Sequence, residues 1–322
     1  MRSIRFCLIG CLLLAAVSCQ EAPIPQGAKA QPVAPTASPG TSKRTAGTYG
    51  PATTLGLLKD PAIKESSGLV ASRSTPGFFW THNDSGDGPF IYGFDNRGRR
   101  KGVWRVTVAG ARDWEDIAAG PGPDRNRSYL YIGDIGDNSE RRYDIIVYRV
   151  PEPLIPAADS SSTKSKPLLT ENAEAIHLRY PDGKHDAETL MVHPVTGSLF
   201  IITKALFSNP AIYEAVGPLS SAKTITLKRV GELSIPSLLG GMVTGGDISP
   251  DGRRVALCDY TQGYEMVLPA GAAFNAIWSQ SLRSIELGQR KQGEAIAYRL
   301  DGKALLTTSE GSASPLIQVV RR

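Results

Sequence analysis

One short element recurs five times along this chain, and that repetition constrains the fold more than any other feature. The copies are ESSGL at Glu65–Leu69, DWEDI at Asp113–Ile117, DAETL at Asp186–Leu190, TGGDI at Thr244–Ile248 and QGEAI at Gln292–Ile296. Their starts lie 48, 73, 58 and 48 residues apart. Repeats of this length signal a solenoid, a propeller or an array of small domains. After each copy comes a cluster of Gly, Pro, Asp or Thr, and then a short apolar run: Phe78–Thr81, Tyr129–Gly133, Leu199–Thr203, Val255–Cys258 and Ala304–Thr307. Runs rich in β-branched and aromatic residues, bounded by turn formers, read as strands. Third strands are expected at Phe90–Phe94, Asp144–Val150, Ala211–Ala215, Tyr264–Leu268 and Leu316–Val320. Fourth strands are expected at Val103–Val108, Ala175–Tyr180, Thr224–Val230 and Ser284–Leu287.

Four antiparallel strands repeated radially define an all-β fold, the β-propeller. The last repeat supplies only three strands, and Thr53–Leu58 is the segment free to complete it. Such closure removes the exposed edges that invite aggregation. Five blades are expected. A sixth would require the 73-residue interval to hide a degenerate blade, but Pro151–Lys166 reads as a loop insertion, and Ala270–Ser279 as a short helix on the fourth blade. The 33 glycines and 23 prolines suit many tight turns better than a helical bundle.

Ahead of the repeats, Arg2 and Arg5 precede the apolar run Phe6–Val17, which ends in Ala16-Val17-Ser18-Cys19. The run is shorter than the ~20 residues that span a bilayer and suits the core of a signal peptide. Small residues leading into a cysteine resemble the lipobox of bacterial lipoproteins, with Ala16 where Leu is usual. The resemblance implies cleavage before Cys19 and lipidation of that residue. A plain secretory signal cut nearby is the competing reading. Residues 1–19 are thus expected to be the signal peptide and 20–50 a Pro/Ala-rich tether too poor in apolar groups to fold. Residues 51–322 would form the propeller, exported and held by lipid on the periplasmic or outer side of the envelope. Cys258 then remains alone in Val255–Cys258, where a buried thiol is the simpler reading than a nucleophile. The formal net charge of +5 includes Arg2 and Arg5, and no Lys/Arg block marks a nucleic-acid tract. A monomer without a nucleic-acid partner is expected.

The start of each repeat should lie on the innermost strand. If alternate side chains point at the axis, the five copies stack in three rings. The first is Glu65, Asp113, Asp186, Thr244 and Gln292; the second is Ser67, Glu115, Glu188, Gly246 and Glu294; the third is Leu69, Ile117, Leu190, Ile248 and Ile296. Aliphatic groups would plug the channel below, while Glu65, Asp113, Glu115, Asp186, Glu188 and Glu294 would crowd it above. Repulsion and desolvation both oppose ionisation of so many close acids. A cation among hard oxygen donors relieves both, and Ca²⁺ suits such donors better than Mg²⁺. Pairing with Arg112 or Lys204, or capping of nearby backbone groups, would do so without a metal.

The ends of the second strands return to the same rim. There the sequence places His82, Asn83 and Asp84, then Asp134, Asp137 and Asn138, and further on Lys204, Asp259 and Glu310. His185 immediately precedes the third copy, and Arg141 and Arg142 follow Asn138. No nucleophile elbow, phosphate loop or His-Glu-x-x-His helix is present. Asn83–Gly88 resembles the start of an EF-hand loop, but Phe94 stands where that loop needs Glu.

Asp113-x-Glu115-x-Ile117 and Asp186-x-Glu188-x-Leu190 resemble the inner-strand repeats of calcium-dependent propellers. These include the phytase-like and esterase-like group and the regucalcin/gluconolactonase-like group. In blade number the chain is closer to the calcium-activated nucleotidases. Glu294 matches that pattern in part, and the first and fourth copies depart from it. The resemblance implies an axial Ca²⁺ without selecting a substrate.

Two functional classes follow. One is a surface module in which Ca²⁺ stiffens the axis and the rim binds a protein or glycan. The other is a metal-dependent hydrolase of phosphoesters, or less readily of esters or lactones. There Lys204, Arg141 and Arg142 would hold a small anionic substrate, and His185 or His82 would move protons. Asn83, Asp84, Asp134, Asp137, Asn138, Asp259 and Glu310 would line the substrate rim in either case.

Overall fold

The computed structural model describes residues 49–84, 86–206, 208–235 and 242–322. The expected signal peptide, Cys19 and almost all of the expected tether lie outside them; Tyr49 and Gly50, assigned to the tether from sequence, begin a strand instead. The described residues form five antiparallel-cored sheets arranged as a five-bladed β-propeller. From the axis outward, blade 1 comprises Ser66–Ala71, Phe78–Asn83, Phe90–Asp95 and Arg100–Thr107. Blade 2 comprises Trp114–Pro121, Ser128–Asp134, Ile145–Pro151, Glu174–Arg179 and, pairing in parallel at its outer edge, the two-residue strand Ile225–Thr226. Blade 3 comprises Ala187–Val192, Leu199–Thr203, Ala211–Ala215 and Lys228–Glu232, and blade 4 Gly245–Ile248, Arg254–Cys258, Gly263–Val267 and Arg283–Ile285. Blade 5 is Gly293–Tyr298, Ala304–Ser309, Ser314–Arg321 and, outermost, the N-terminal strand Tyr49–Leu58.

The long interval between the second and third repeats holds no sixth blade. Its strand Leu168–Asn172 instead pairs in parallel with the outer strand of blade 1. Glu152, at the head of this insertion, is buried and accepts hydrogen bonds from the Ser72 hydroxyl (2.6 Å), the Trp80 indole (2.9 Å) and the Ser74 amide (3.0 Å). It thereby ties blade 2 to the first turn of blade 1. The expected short helix is a 3₁₀ turn, Phe274–Ser279, which buries Ile277 and Trp278 against blades 3 and 4. Asp251-Gly252 and Asp301-Gly302 make equivalent first turns in blades 4 and 5. The glycines adopt φ of 67° and 64°, a left-handed region that a side chain disfavours.

The third ring does not plug the channel. Each inner strand touches the inner strands on either side of it, so the five close on one another around the axis. Propeller blades stack face against face, and an inner strand's alternate side chains therefore enter the preceding and following interfaces. Leu69 packs into the cluster between blades 5 and 1, Ile117 between 1 and 2, and Leu190 between 2 and 3. Ile248 lies between blades 3 and 4, and Ile296 between 4 and 5. All five thus sit equivalently, each facing the preceding blade.

The residue before these aliphatics faces the following blade. In blades 2 and 4 it is an aspartate that clamps its neighbour, Asp116 buried and Asp247 half-buried. Asp116 Oδ2 accepts the Leu190 amide (3.0 Å), and Asp247 Oδ2 accepts the Tyr298 amide (2.8 Å). Burial raises the pKa of both, that of Asp247 to about 7.

Closure depends on the N-terminal strand, whose register runs from Tyr49 opposite Arg321 to Leu58 opposite Ser314. Tyr49 also reaches the neighbouring blade, donating its hydroxyl to Glu265 Oε1, which Tyr298 reaches as well at 2.8 Å. Deleting residues 49–58 should expose the edge of Ser314–Arg321 and produce aggregated protein in size-exclusion chromatography. Tyr49→Phe should keep the fold and cost about 1–2 kcal/mol in denaturant melts, because Glu265 loses one buried donor.

Candidate metal centre on the propeller axis

If interface packing uses both faces of an inner strand, a side chain reaches the axis only where the strand departs from regular pairing. It does so in four blades. In blade 2, Trp114 pairs with Asp134 and Asp116 with Gly133, leaving Glu115 as an extra residue. Glu188 and Glu294 are the extra residues of equivalent bulges in blades 3 and 5, and blade 1 shifts register across Ser67 and Gly68. Such bulges bend a strand and re-aim a side chain. Among the described residues, the inner strand of blade 4 pairs without a shift, and its equivalent position is Gly246.

Ser67, Glu115, Glu188 and Glu294 line a cavity of about 190 Å³ on the axis. Asp113 and Gln292 join from the residues ahead of the bulges, Asp84 and Glu310 from the ends of second strands, and Lys204 and Tyr260 from just beyond two others. Carboxylate oxygens of Asp84, Asp113 and Glu115 lie within 4.8 Å of one another. Gly136 packs against two of the three: a Cβ there would come 2.1 Å from Glu115 Oε1 and 2.5 Å from Asp113 Oδ2, so a side chain at this position would push both carboxylates aside.

Six acids share the cavity with one ammonium. Burial raises the pKa of Glu115 strongly, and repulsion from Glu188, Asp84 and Asp113 adds to it. Burial likewise raises Glu294, with Glu188 contributing, and Glu310. Burial raises Glu188 too, although the Lys204 ammonium bound to it pulls the other way. Asp113, more open, is pushed up to about 6 by burial and by Asp84 and Asp186. Burial alone would lower the pKa of Lys204, but the Glu188 carboxylate more than offsets it, and the ammonium also lies 5.4 Å from the Tyr260 ring centre. A divalent cation beside Asp84, Asp113 and Glu115 would replace these protons with a charge matched to hard oxygen donors.

The other sequence-selected residues divide into those near the cavity and those committed elsewhere. Asn138 lines it. Asp186 stands at its border, its Oδ1 accepting the Asp137 amide at 2.7 Å. Glu65 is exposed, and its backbone bridges to Glu310. Asn83 is engaged by the backbone, accepting the Lys64 amide at 2.9 Å and donating to the Ala62 carbonyl at 2.7 Å. Asp259 folds its own turn, accepting from the Thr261 and Gln262 amides (both 2.7 Å) and the Tyr264 hydroxyl (2.8 Å). Arg141 is exposed and offers its carbonyl to Lys184.

Arg142 and Asp134 form a buried ion pair at 2.7 Å. Arg142 also donates to the Gly136 carbonyl (2.9 Å), its amide donates to Asp137 (2.6 Å), and Asp134 accepts the Asp113 amide (3.2 Å). The pair therefore holds Gly136 against the carboxylates. His82 is sealed between blades 1 and 2 against Trp114, with Nδ1 donating to the Asn83 carbonyl at 2.8 Å. Burial lowers its pKa, and its Nε2 has no hydrogen-bond partner. His185 opens into a separate cavity described below. Sequence reasoning missed Gly136, Tyr260, Asp116 and Asp247. The glycine in Asp134–Asn138 was the one available signal.

No protein-family model matches the chain, and no curated protein matches it in sequence. Among solved structures it is similar to one titled "Crystal structure of Nidogen/Laminin Complex". The two share 14% identity at a TM-score of 0.41, over 76% of this chain and 72% of that one. The five-bladed architecture itself rests on the strand pairing described above.

Arg142→Leu should cost at least ~3 kcal/mol in stability, because it strands Asp134 as an uncompensated buried charge. Chemical denaturation would read this, and Asp134→Asn with Arg142→Gln should recover part of the loss.

Proposed function

We propose that the protein is a cation-stabilised propeller module, with Ca²⁺ held on the axis by Asp84, Asp113 and Glu115 and the surrounding rim serving to bind a partner. The observation that carries this reading is the convergence of those three carboxylates within 4.8 Å, two of them packed against Gly136. Glu188 and Glu294 complete the acidic wall. The short apolar leader and the residues before Cys19 support an exported, lipid-anchored setting, with the tether ending at residue 48 and the closing strand beginning at Tyr49. Cys19→Ser should release the protein from membranes or leave it unprocessed. Continued membrane partitioning after normal cleavage would sink that part of the reading.

Binding is favoured over hydrolysis by where the polar groups go. Arg142 is spent in its ion pair and His82 is sealed between blades, so Lys204 is the one basic side chain lining the axial cavity among the described residues. A hydrolase would require that lysine to meet a substrate oxyanion beside the metal. Turnover of phosphoester, nucleotide, ester or lactone substrates that needs Ca²⁺ and slows in Lys204→Ala would favour catalysis instead.

Metal-stripped protein should melt lower than protein with Ca²⁺ added. A ligand specific for the native state contributes about 2.7 kcal/mol at one hundred times its Kd. Mg²⁺ should restore less, because it demands stricter geometry. Glu115→Gln should abolish the response, whereas Glu188→Gln should only weaken it. Identical melts with chelator and with Ca²⁺ would overturn the proposal.

The pH dependence has a definite sign. Asp113 and the axial glutamates have folded pKa values raised above those of the unfolded chain, so they favour folding most when protonated. In metal-free protein that contribution should fade as pH rises from about 4 through 6 for Asp113, and at higher pH for the glutamates. Bound Ca²⁺ should flatten the decline, which thermal melts across this range would show.

A further inference from the structure

A second cavity, of about 470 Å³, opens on blade 3 beside the axis and shares Lys204 with the axial one. We propose that it binds a neutral, hydroxyl-rich ligand, a carbohydrate. Its volume falls in the range of small-ligand sites, roughly 300–1,000 Å³.

The chemistry of the wall selects the ligand class. Asp182, Asp186 and Glu140 accept hydrogen bonds, Lys204 and Arg229 donate them, and Asn209 does both. A sugar hydroxyl donates and accepts at once, so it can satisfy such a mixed wall all round. Apolar ligands find little purchase, since Ala205 and Ala211 are the only aliphatic residues lining the cavity among those described. Anions are disfavoured because both cations are already matched: Lys204 pairs with Glu188, and Arg229 lies 3.1 Å from Glu232 and 3.9 Å from Asp182. What remains in excess is carboxylate.

One wall is organised in advance. His185 Nε2 lies 3.1 Å from Asp182 Oδ1 and 3.0 Å from the Tyr213 hydroxyl, which itself lies 2.9 Å from both Asp182 oxygens. The Tyr180 ring packs edge-on against both His185 and Tyr213, at 4.9 and 4.7 Å between centres. Groups already fixed lose little freedom when a ligand arrives. Asp84, Asp113 and Glu115 take no part in this wall, so the proposal stands apart from the axial cation.

The test is calorimetric titration of the purified protein, with Ca²⁺ and with chelator. The probes are glucose, galactose, mannose, N-acetylglucosamine and their linear trimers, with glucose 6-phosphate and spermidine as charged comparators. At least one neutral saccharide should bind saturably. Arg229→Ala and Asn209→Ala should each weaken it about tenfold, the loss of a hydrogen bond made by a charged or amide group. Both side chains lie at the surface, so the variants should keep the wild-type melting temperature and its response to Ca²⁺. Lys59→Ala, in a different surface cavity, should leave binding unchanged. The proposal is overturned if no neutral saccharide binds, if binding ignores both variants, or if only a charged comparator binds. A missing Ca²⁺ response in the melts would count against the axial reading alone.

Discussion

Everything at the centre of this protein depends on how an inner strand spends its two faces. Stacked blades claim both, one for each neighbour, and the five aliphatics Leu69, Ile117, Leu190, Ile248 and Ile296 mark the result. A regular strand therefore has nothing left to offer the axis. Only an extra residue can turn inward, and in blades 2, 3 and 5 that residue is glutamate. The acidic cavity is thus a product of broken pairing, and it exists because the packing around it is regular.

The same geometry explains the balance between stability and charge. Interfaces are closed by apolar clusters and by two aspartates that bond the next inner strand. The cavity concentrates repulsion at the one place where no packing compensates it. Lys204 offsets part of that repulsion from one side. A cation at Asp84, Asp113 and Glu115 would offset it from the other. The buried Arg142–Asp134 pair does a different job, since it fixes backbone and not charge: the loop it secures brings Gly136 within touching distance of two carboxylates.

Much of the architecture was legible in the order of residues, and the reason is local. Turn pairs such as Asp251-Gly252 and Asp301-Gly302 need only their own neighbours to act, so strand spacing and blade number could be read directly. The closing strand could be inferred because the last repeat was one strand short. The channel was read less well. Period two holds along a strand, but it does not say which way the blade faces, so the third ring was assigned to the axis when it belongs to the interfaces. The glutamates were found by their alignment across repeats, although bulges and not alternation aim them. Asn83, Arg142 and Asp259 carry the residue types of a binding rim, yet each is used up by partners distant in sequence or by its own turn. Burial of that kind is tertiary and leaves no mark in a short window of residues.

The clasp between Tyr49 and Glu265 has a mechanical side. The closing strand begins where Tyr49 faces Arg321, and the pairing runs antiparallel from there to Leu58. Tension applied at Tyr49 and directed away from the sheet would peel its rungs one at a time, a geometry that resists far less than shearing a whole strand at once. The first obstacle such a pull meets is the tyrosine hydroxyl lodged on the adjacent blade. That hydrogen bond would thus be among the first contacts to give way as the five-bladed ring begins to open.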